Sequence, residues 1–275
     1  MKTEDAKLVK DEHQEEPAME PLLEMKNISK YFGGLCAVSR VDFSIGKGEV
    51  VGLVGDNAAG KSTLMKILAG AYSPSEGEMY FEGVRVRFRD PQDARGAGIE
   101  MLFQDLALVP ELDVAENLFL GKEVSKTLFG KVPVKFLLDR KRMNAKAAEF
   151  LKDLCINVED VHEKVRNLSG GQQQSVSIAR TLFFNAKLVI LDEPTSAISV
   201  RETQRVLELI SQLKANSVSV IIVSHRMEDI FAVADRIVIL RRGRKVEDIA
   251  KGSTSTEQVI RRIIGAESTD AVTPA

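Results

Sequence analysis

The chain has 275 residues, 44% hydrophobic and 28% charged, with a formal net charge of −2. That balance fits an ordinary globular protein, long enough for one large domain or two modest ones. It argues against a basic nucleic-acid-binding face, a disulfide framework and a membrane span, since no apolar run approaches the roughly 20 residues a bilayer demands.

Residues 1–21 are rich in Glu, Asp and Lys, carry Pro17 and Pro21, and lack apolar periodicity. They predict a solvated, disordered acidic arm rather than a secretory signal. Leu22 to Phe32 predicts a strand and turn, and Val41-Asp42-Phe43-Ser44-Ile45 alternates as a half-buried strand does. After the Gly46-Lys47-Gly48 turn, Glu49 to Val54 reads as a short buried strand. Ser62 to Leu68 reads as a helix stopped at Gly70. Between them lies Gly55-Asp56-Asn57-Ala58-Ala59-Gly60-Lys61-Ser62-Thr63. Strand, Gly-rich turn and helix together predict a phosphate-binding loop. Backbone N–H groups must face phosphate oxygens without side chains in the way, and the helix N-terminus adds its positive dipole end. Lys61 would reach the β- and γ-phosphates, and the Ser62 hydroxyl would ligate Mg2+.

Glu78 to Phe81, a Glu82-Gly83 turn and Val84 to Phe88 predict a hairpin. Pro91 to Gly98 predicts a short helix, and Ile99 to Phe103 a strand ending at Gln104. From 105 to about 167 the β-branched runs thin out. Val114–Leu120 and Arg140–Leu154 look helical, so this stretch reads as a helical insertion into an α/β core. Leu168-Ser169-Gly170-Gly171-Gln172 opens a further helix running to about Phe184, with Ser169 suited to an N-cap and bare amides open to an anion. Leu188-Val189-Ile190-Leu191-Asp192-Glu193 is a buried strand ending in two carboxylates, where open α/β sheets place ligands. Asp192 would hold Mg2+, and Glu193 would polarise an attacking water as general base. Helices at Arg201–Lys214 and Met227–Ala234 alternate with strands Val218–Val223 and Arg236–Leu240, which argues for a mostly parallel sheet. Arg242-Gly243 predicts a turn, Thr256–Ile264 a closing helix, and the last ten residues a frayed tail. The Arg85, Arg87 and Arg89 run reads as a solvent face. Cys36 and Cys155 read as packing residues, and His13, His162 and His225 have no metal-ligand spacing.

These motifs together resemble the nucleotide-binding subunit of ATP-binding cassette (ABC) transporters. Gly55–Thr63 is similar to the family's Walker A loop, Leu188–Glu193 to Walker B and Leu168–Gln172 to its LSGGQ signature. Gln104 stands at the Q-loop glutamine, His225 at the switch histidine and Phe32 at the aromatic that stacks on adenine, with Tyr31 as the alternative stacker. Pro110–Gly121, Pro194–Ala197 and Ser199–Glu202 further resemble sugar importers of the ribose, xylose, galactose and fructose type. One cassette is present where many of those chains carry two.

The resemblance implies an α/β P-loop NTPase (RecA-like) parallel-sheet core with an antiparallel β subdomain and a helical subdomain. It implies one nucleotide-binding domain over 22–265: a core from 22–104 and 176–250, a helical part from 105–175, and a tail from 266–275. It implies the cofactors ATP and Mg2+, with Ser62, Gln104 and Asp192 toward the metal. ATP would lie between the loop 55–63 of one cassette and Ser169, Gly170, Gly171 and Gln172 of a second copy. Glu193, His225, Lys61 and Gln104 would carry hydrolysis. A separate membrane permease would dock on the helical part from the cytoplasmic side, with an external sugar-binding protein as an indirect partner. A soluble ABC ATPase and a weakly hydrolysing nucleotide sensor are the alternatives. The chain departs from the family pattern at Ala58, where glycine is usual, at Ser199, where the D-loop has aspartate, at Gln173 and at Ile198. If position 58 needs a positive φ, alanine adds about 1 kcal/mol or more of strain.

Overall fold

The computed structural model describes residues 21–102, 107–128, 132–183, 186–196 and 198–266. Residues 1–20 of the predicted arm, the stretch after 266 and Gln104 lie outside the described residues. The elements open with β1 (Leu23–Phe32), β2 (Leu35–Ile45), β3 (Val50–Gly55), α1 (Lys61–Leu68), β4 (Glu76–Phe81) and β5 (Val84–Val86). Next come α2 (Pro91–Ala97), β6 (Ile99–Leu102), α3 (Val114–Phe119), β7 (Ser125–Leu128), β8 (Val132–Leu138) and α4 (Arg140–Asp153). The described elements finish with α5 (Gly170–Leu182), β9 (Leu188–Asp192), α6 (Val200–Ala215), β10 (Ser219–Val223), α7 (Met227–Val233), β11 (Arg236–Arg241), β12 (Arg244–Ala250) and α8 (Thr256–Ile264).

The central six-stranded sheet runs β12-β11-β3-β10-β9-β6, parallel except for β12. Its middle strands are apolar on both faces because both faces are covered. The two-residue period divides them cleanly. Val50 and Val54 on β3, Val189 and Leu191 on β9, and Val220 and Ile222 on β10 join one core with α3 to α7. Val51 and Leu53, Leu188 and Ile190, and Ile221 and Val223 join the other, with α1 and the second sheet. That second sheet is antiparallel, in the order β2-β1-β4-β5. The architecture is α/β.

Serine side chains start α5 and α6. Ser169 caps α5 and Ser199 caps α6, each in a reciprocal capping box with the residue three positions on, Gln172 and Glu202. On α6 the buried positions Thr203, Val206, Leu207, Ile210 and Leu213 form one stripe against the sheet.

Two expectations fail. The insertion predicted as helical carries the antiparallel hairpin β7–β8. Val132-Pro133-Val134-Lys135-Phe136 does alternate with period two, but Pro133 speaks against an interior strand; in a two-stranded ribbon each strand is an edge, where proline is tolerated. The cysteines are not packing residues: both are exposed. Cys36 lies at the open start of β2, and Cys155 follows α4 in a left-handed turn at φ 52°.

Candidate nucleotide site

Adjacent strands β3, β10 and β9 end side by side, so the residues that leave their C-terminal edges meet. β3 delivers Gly55 and the loop after it, β9 delivers Asp192 and Glu193, and β10 leads through Ser224 to His225. They line one open cleft of about 1000 Å3, joined by Phe32, Cys36 and, from α8, Ile260 and Ile263. That is the volume of a site for a ligand of nucleotide size.

The loop turns back on itself through left-handed backbone. Ala58 has φ 62° and Gly60 φ 99°. Gly60 is also sterically required, since a Cβ there would stand 2.7 Å from the Ala37 carbonyl oxygen. Lys61 folds over the loop and donates to the carbonyls of Gly55 at 2.7 Å and Asp56 at 3.0 Å. Burial holds its ammonium below the ordinary lysine range, against the pull of Glu193, Asp192 and Asp56. An anion placed in the loop would favour the charged form again. Asp56, Asn57 and Ala58 are exposed, Ala59 is buried, and Thr63 stands one residue into α1 beyond Ser62.

Burial raises the Asp192 carboxyl above its ordinary value, and the neighbouring Glu193 adds to the rise; Lys61, Lys66 and a hydrogen bond from the Ser62 hydroxyl oppose it. Glu193 sits at φ 54°, a left-handed conformation that costs a non-glycine residue about 1–2 kcal/mol. Its amide donates to the Val223 carbonyl at 2.8 Å, which ties β9 to β10 at the site. The His225 Nδ1 atom lies 2.8 Å from Glu193 Oε2. The alignment is too poor for a hydrogen bond, and Glu193 Oε2 is buried without a hydrogen-bond partner. A strained, unsatisfied carboxylate facing a cleft is the kind of group that functional sites retain.

Phe32 presents an exposed ring at the cleft mouth, edge-on to Tyr72 at 5.3 Å and beneath the Lys30 ammonium at 5.2 Å. The Tyr31 hydroxyl turns instead to Glu76 at 3.5 Å. Ser169, Gly170, Gly171 and Gln172 do not line this cleft. They form the start of α5, where Gln172 also donates to the Asn157 carbonyl at 3.2 Å. Gln104 lies outside the described residues.

Sequence reasoning missed the α8 isoleucines, whose place on the cleft is purely tertiary. It also missed Thr195, which donates to the buried Asp229 at 2.5 Å and fixes the turn after Glu193 against α7.

The chain is similar to known proteins of one family. Residues 38–196 match the family model described as ABC transporter. The xylose/arabinose import ATP-binding protein XylG of Sulfolobus acidocaldarius is 44% identical over 241 residues, covering 88% of this chain and 93% of that protein. The fructose import ATP-binding protein FrcA of Rhizobium meliloti is 43% identical over 83% of this chain and 88% of its own length. The ribose import protein RbsA of Caldanaerobacter subterraneus is 40% identical over 90% of this chain, but the match covers 49% of that longer protein. Among solved structures, the ADP conformation of the ATP-binding cassette MJ1267 superposes with a TM-score of 0.75 at 26% identity, covering 90% of this chain and all of that one. The dimeric post-hydrolysis state of the cassette MJ0796, bound to ADP and Pi, gives 0.68 at 27% identity over 83% of this chain and 98% of its own. With a P-loop, paired carboxylates and a signature helix on one α/β sheet, the chain belongs to the ABC transporter family, as an ATP-binding cassette of the ATPase class.

Proposed function

We propose that the chain energises the import of a sugar, a monosaccharide, through a separate membrane permease, by closing and reopening a head-to-tail pair of cassettes on ATP. The observation that carries this reading is a separation. The loop 55–63, Asp192, Glu193 and His225 share one cleft, while Ser169 to Gln172 stand apart from it. A second copy of the cassette would bring its own Ser169 and Gly171 to the γ-phosphate. The sugar-import names of the relatives support the cargo class.

The residues suit a nucleotide with Mg2+. The Ser62 hydroxyl stands near enough to the Asp192 carboxylate to favour its charged form, so two hard oxygen donors already converge. Among the described residues no group of three His, Cys, Asp or Glu could hold a metal by itself. That accords with Mg2+, which takes one or two protein oxygens plus phosphates and water. The metal would supply charge neutralisation between phosphate oxygens. Loop amides and Lys61 would bind the β- and γ-phosphates, and Phe32 would stack on the adenine. Glu193 would polarise the attacking water, and His225 would hold the γ-phosphate or that water. Gln104 would sense the metal and pass movement to the helical part, where the permease docks at the cytoplasmic face of the membrane. An external sugar-binding protein would act through the permease.

The test is ATP hydrolysis by the purified chain across a protein-concentration series, beside Glu193→Gln and Lys61→Ala. A rate per subunit that rises with concentration and vanishes in both variants supports the reading. A flat, near-zero rate that Ala58→Gly restores assigns the failure to a degenerate loop. A rate independent of concentration and retained in Glu193→Gln overturns it.

A further inference from the structure

Glu202 stands in the first turn of α6, outside the nucleotide cleft. Its Oε1 accepts from the Ser169 hydroxyl at 3.1 Å and the Gly171 amide at 3.0 Å. Its Oε2 accepts from the Ser199 hydroxyl at 2.9 Å and the Ser199 amide at 3.1 Å. The Ser199 amide and hydroxyl, helped by Gly171 and Ser169, hold this carboxyl down at about 2, so it is charged at any ordinary pH. Gly171 is what makes room for it. A Cβ at that position would stand 2.3 Å from Glu202 Cγ.

The N-terminus of a helix gathers anions. The start of α5 already holds one, and it belongs to the protein itself. The two donors that Glu202 occupies are the same two that the proposed function sends to the partner's γ-phosphate. A serine hydroxyl carries one hydrogen and a backbone amide carries one. Neither donates at full strength to a carboxylate and to a phosphate together, and the two anions repel each other at that distance.

We propose that Glu202 is a positioning residue, an internal stand-in for the γ-phosphate that keeps the signature donors aligned in the single cassette and gives them up when the partner's ATP arrives. The inference rests on the head-to-tail reading above. Closure is then an exchange of one anion for another rather than the filling of bare donors. Glu202 sets the threshold for that exchange, and ADP, which lacks the γ-phosphate, does not reach it. The same carboxylate is anchored on Ser199, so the exchange pulls directly on the turn that carries the family's D-loop position.

The test measures ATP-dependent dimerisation of the full chain by sedimentation, in a Glu193→Gln background that slows hydrolysis. Glu202→Gln keeps the capping box, which accepts Gln at the third position, but removes the charge. Exchanging a charge-assisted acceptor for a neutral one is expected to lower the protein concentration needed for the ATP dimer about tenfold. Glu202→Ala, which removes the acceptor altogether, is expected to shift it at least as far. The shift should be absent with ADP and absent in Glu208→Gln, which deletes the same charge further along the same helix. Affinity of the dilute monomer for a fluorescent ATP analogue should not change. An unchanged or weakened ATP dimer in both Glu202 variants, or an equal gain in Glu208→Gln, overturns the proposal while leaving the dimer intact. Absence of any ATP-dependent dimer in the Glu193→Gln parent overturns the head-to-tail reading, and this inference with it.

Discussion

Ala58 and Glu193 both line the site in backbone conformations that favour glycine, at φ 62° and 54°. Ala58 is exposed, so its methyl group gains nothing from packing to offset that strain. Ala58→Gly is therefore expected to stabilise the chain by about 1 kcal/mol in chemical denaturation, the left-handed penalty less the entropy of a freer unfolded chain. Asp192 carries a different cost. Its folded carboxyl lies above the ordinary value, chiefly through burial, so ionisation opposes folding. That penalty is present at neutral pH and disappears as the pH falls through the raised value. Asp192→Asn should accordingly unfold at higher denaturant than the parent near neutrality. The gap should close on acidification, and the variant should lose the Mg2+ dependence of nucleotide binding.

At the scale of elements, the two sheets are joined where β11 begins. Arg236 Nε donates to Glu49 at 2.8 Å, ahead of β3, and its guanidinium also donates to the Ser44 carbonyl on β2 at 2.7 Å. The same side chain bonds to Asp248 on β12. The arginine and both carboxylates are mostly shielded from water. Removing the cation leaves the half-buried Glu49 carboxylate with the Gly46 amide but no cation, while Asp248 keeps only Lys245 at 3.3 Å. Arg236→Met should destabilise the fold by about 3 kcal/mol, read from denaturant midpoints, even though methionine fills similar space. The site residues sit on rigid strand ends, so nucleotide affinity of the folded variant should fall less than its stability.

For the whole molecule, Ser169 to Gln172 stand outside the cleft, and in the proposed reading closure draws on a second chain. A ligand that joins two copies stabilises them by mass action. In Glu193→Gln, the melting temperature with ATP should rise with protein concentration. With ADP, or without nucleotide, it should stay flat. A rise with ADP as well would show that dimer formation does not need the γ-phosphate.

How much of this was legible beforehand follows from the range of the forces involved. The P-loop, the strand ending in Asp192-Glu193 and the cap Ser169 are local: a glycine, a hydroxyl or a carboxylate acts within a few residues of where it is written. The alternation of strands with helices likewise announced a mostly parallel sheet. What only the tertiary structure decided is where those pieces face. Pro133 concealed a hairpin because edge status belongs to the sheet and not to the strand. Ile260 and Ile263 reach the cleft only because α8 packs back across β11. Glu202 meets Ser169 only because α5 and α6 pack side by side. Local hydrogen bonding is written into neighbouring residues, but contacts between distant ones are set by how the apolar stripes of the helices pack on the sheet.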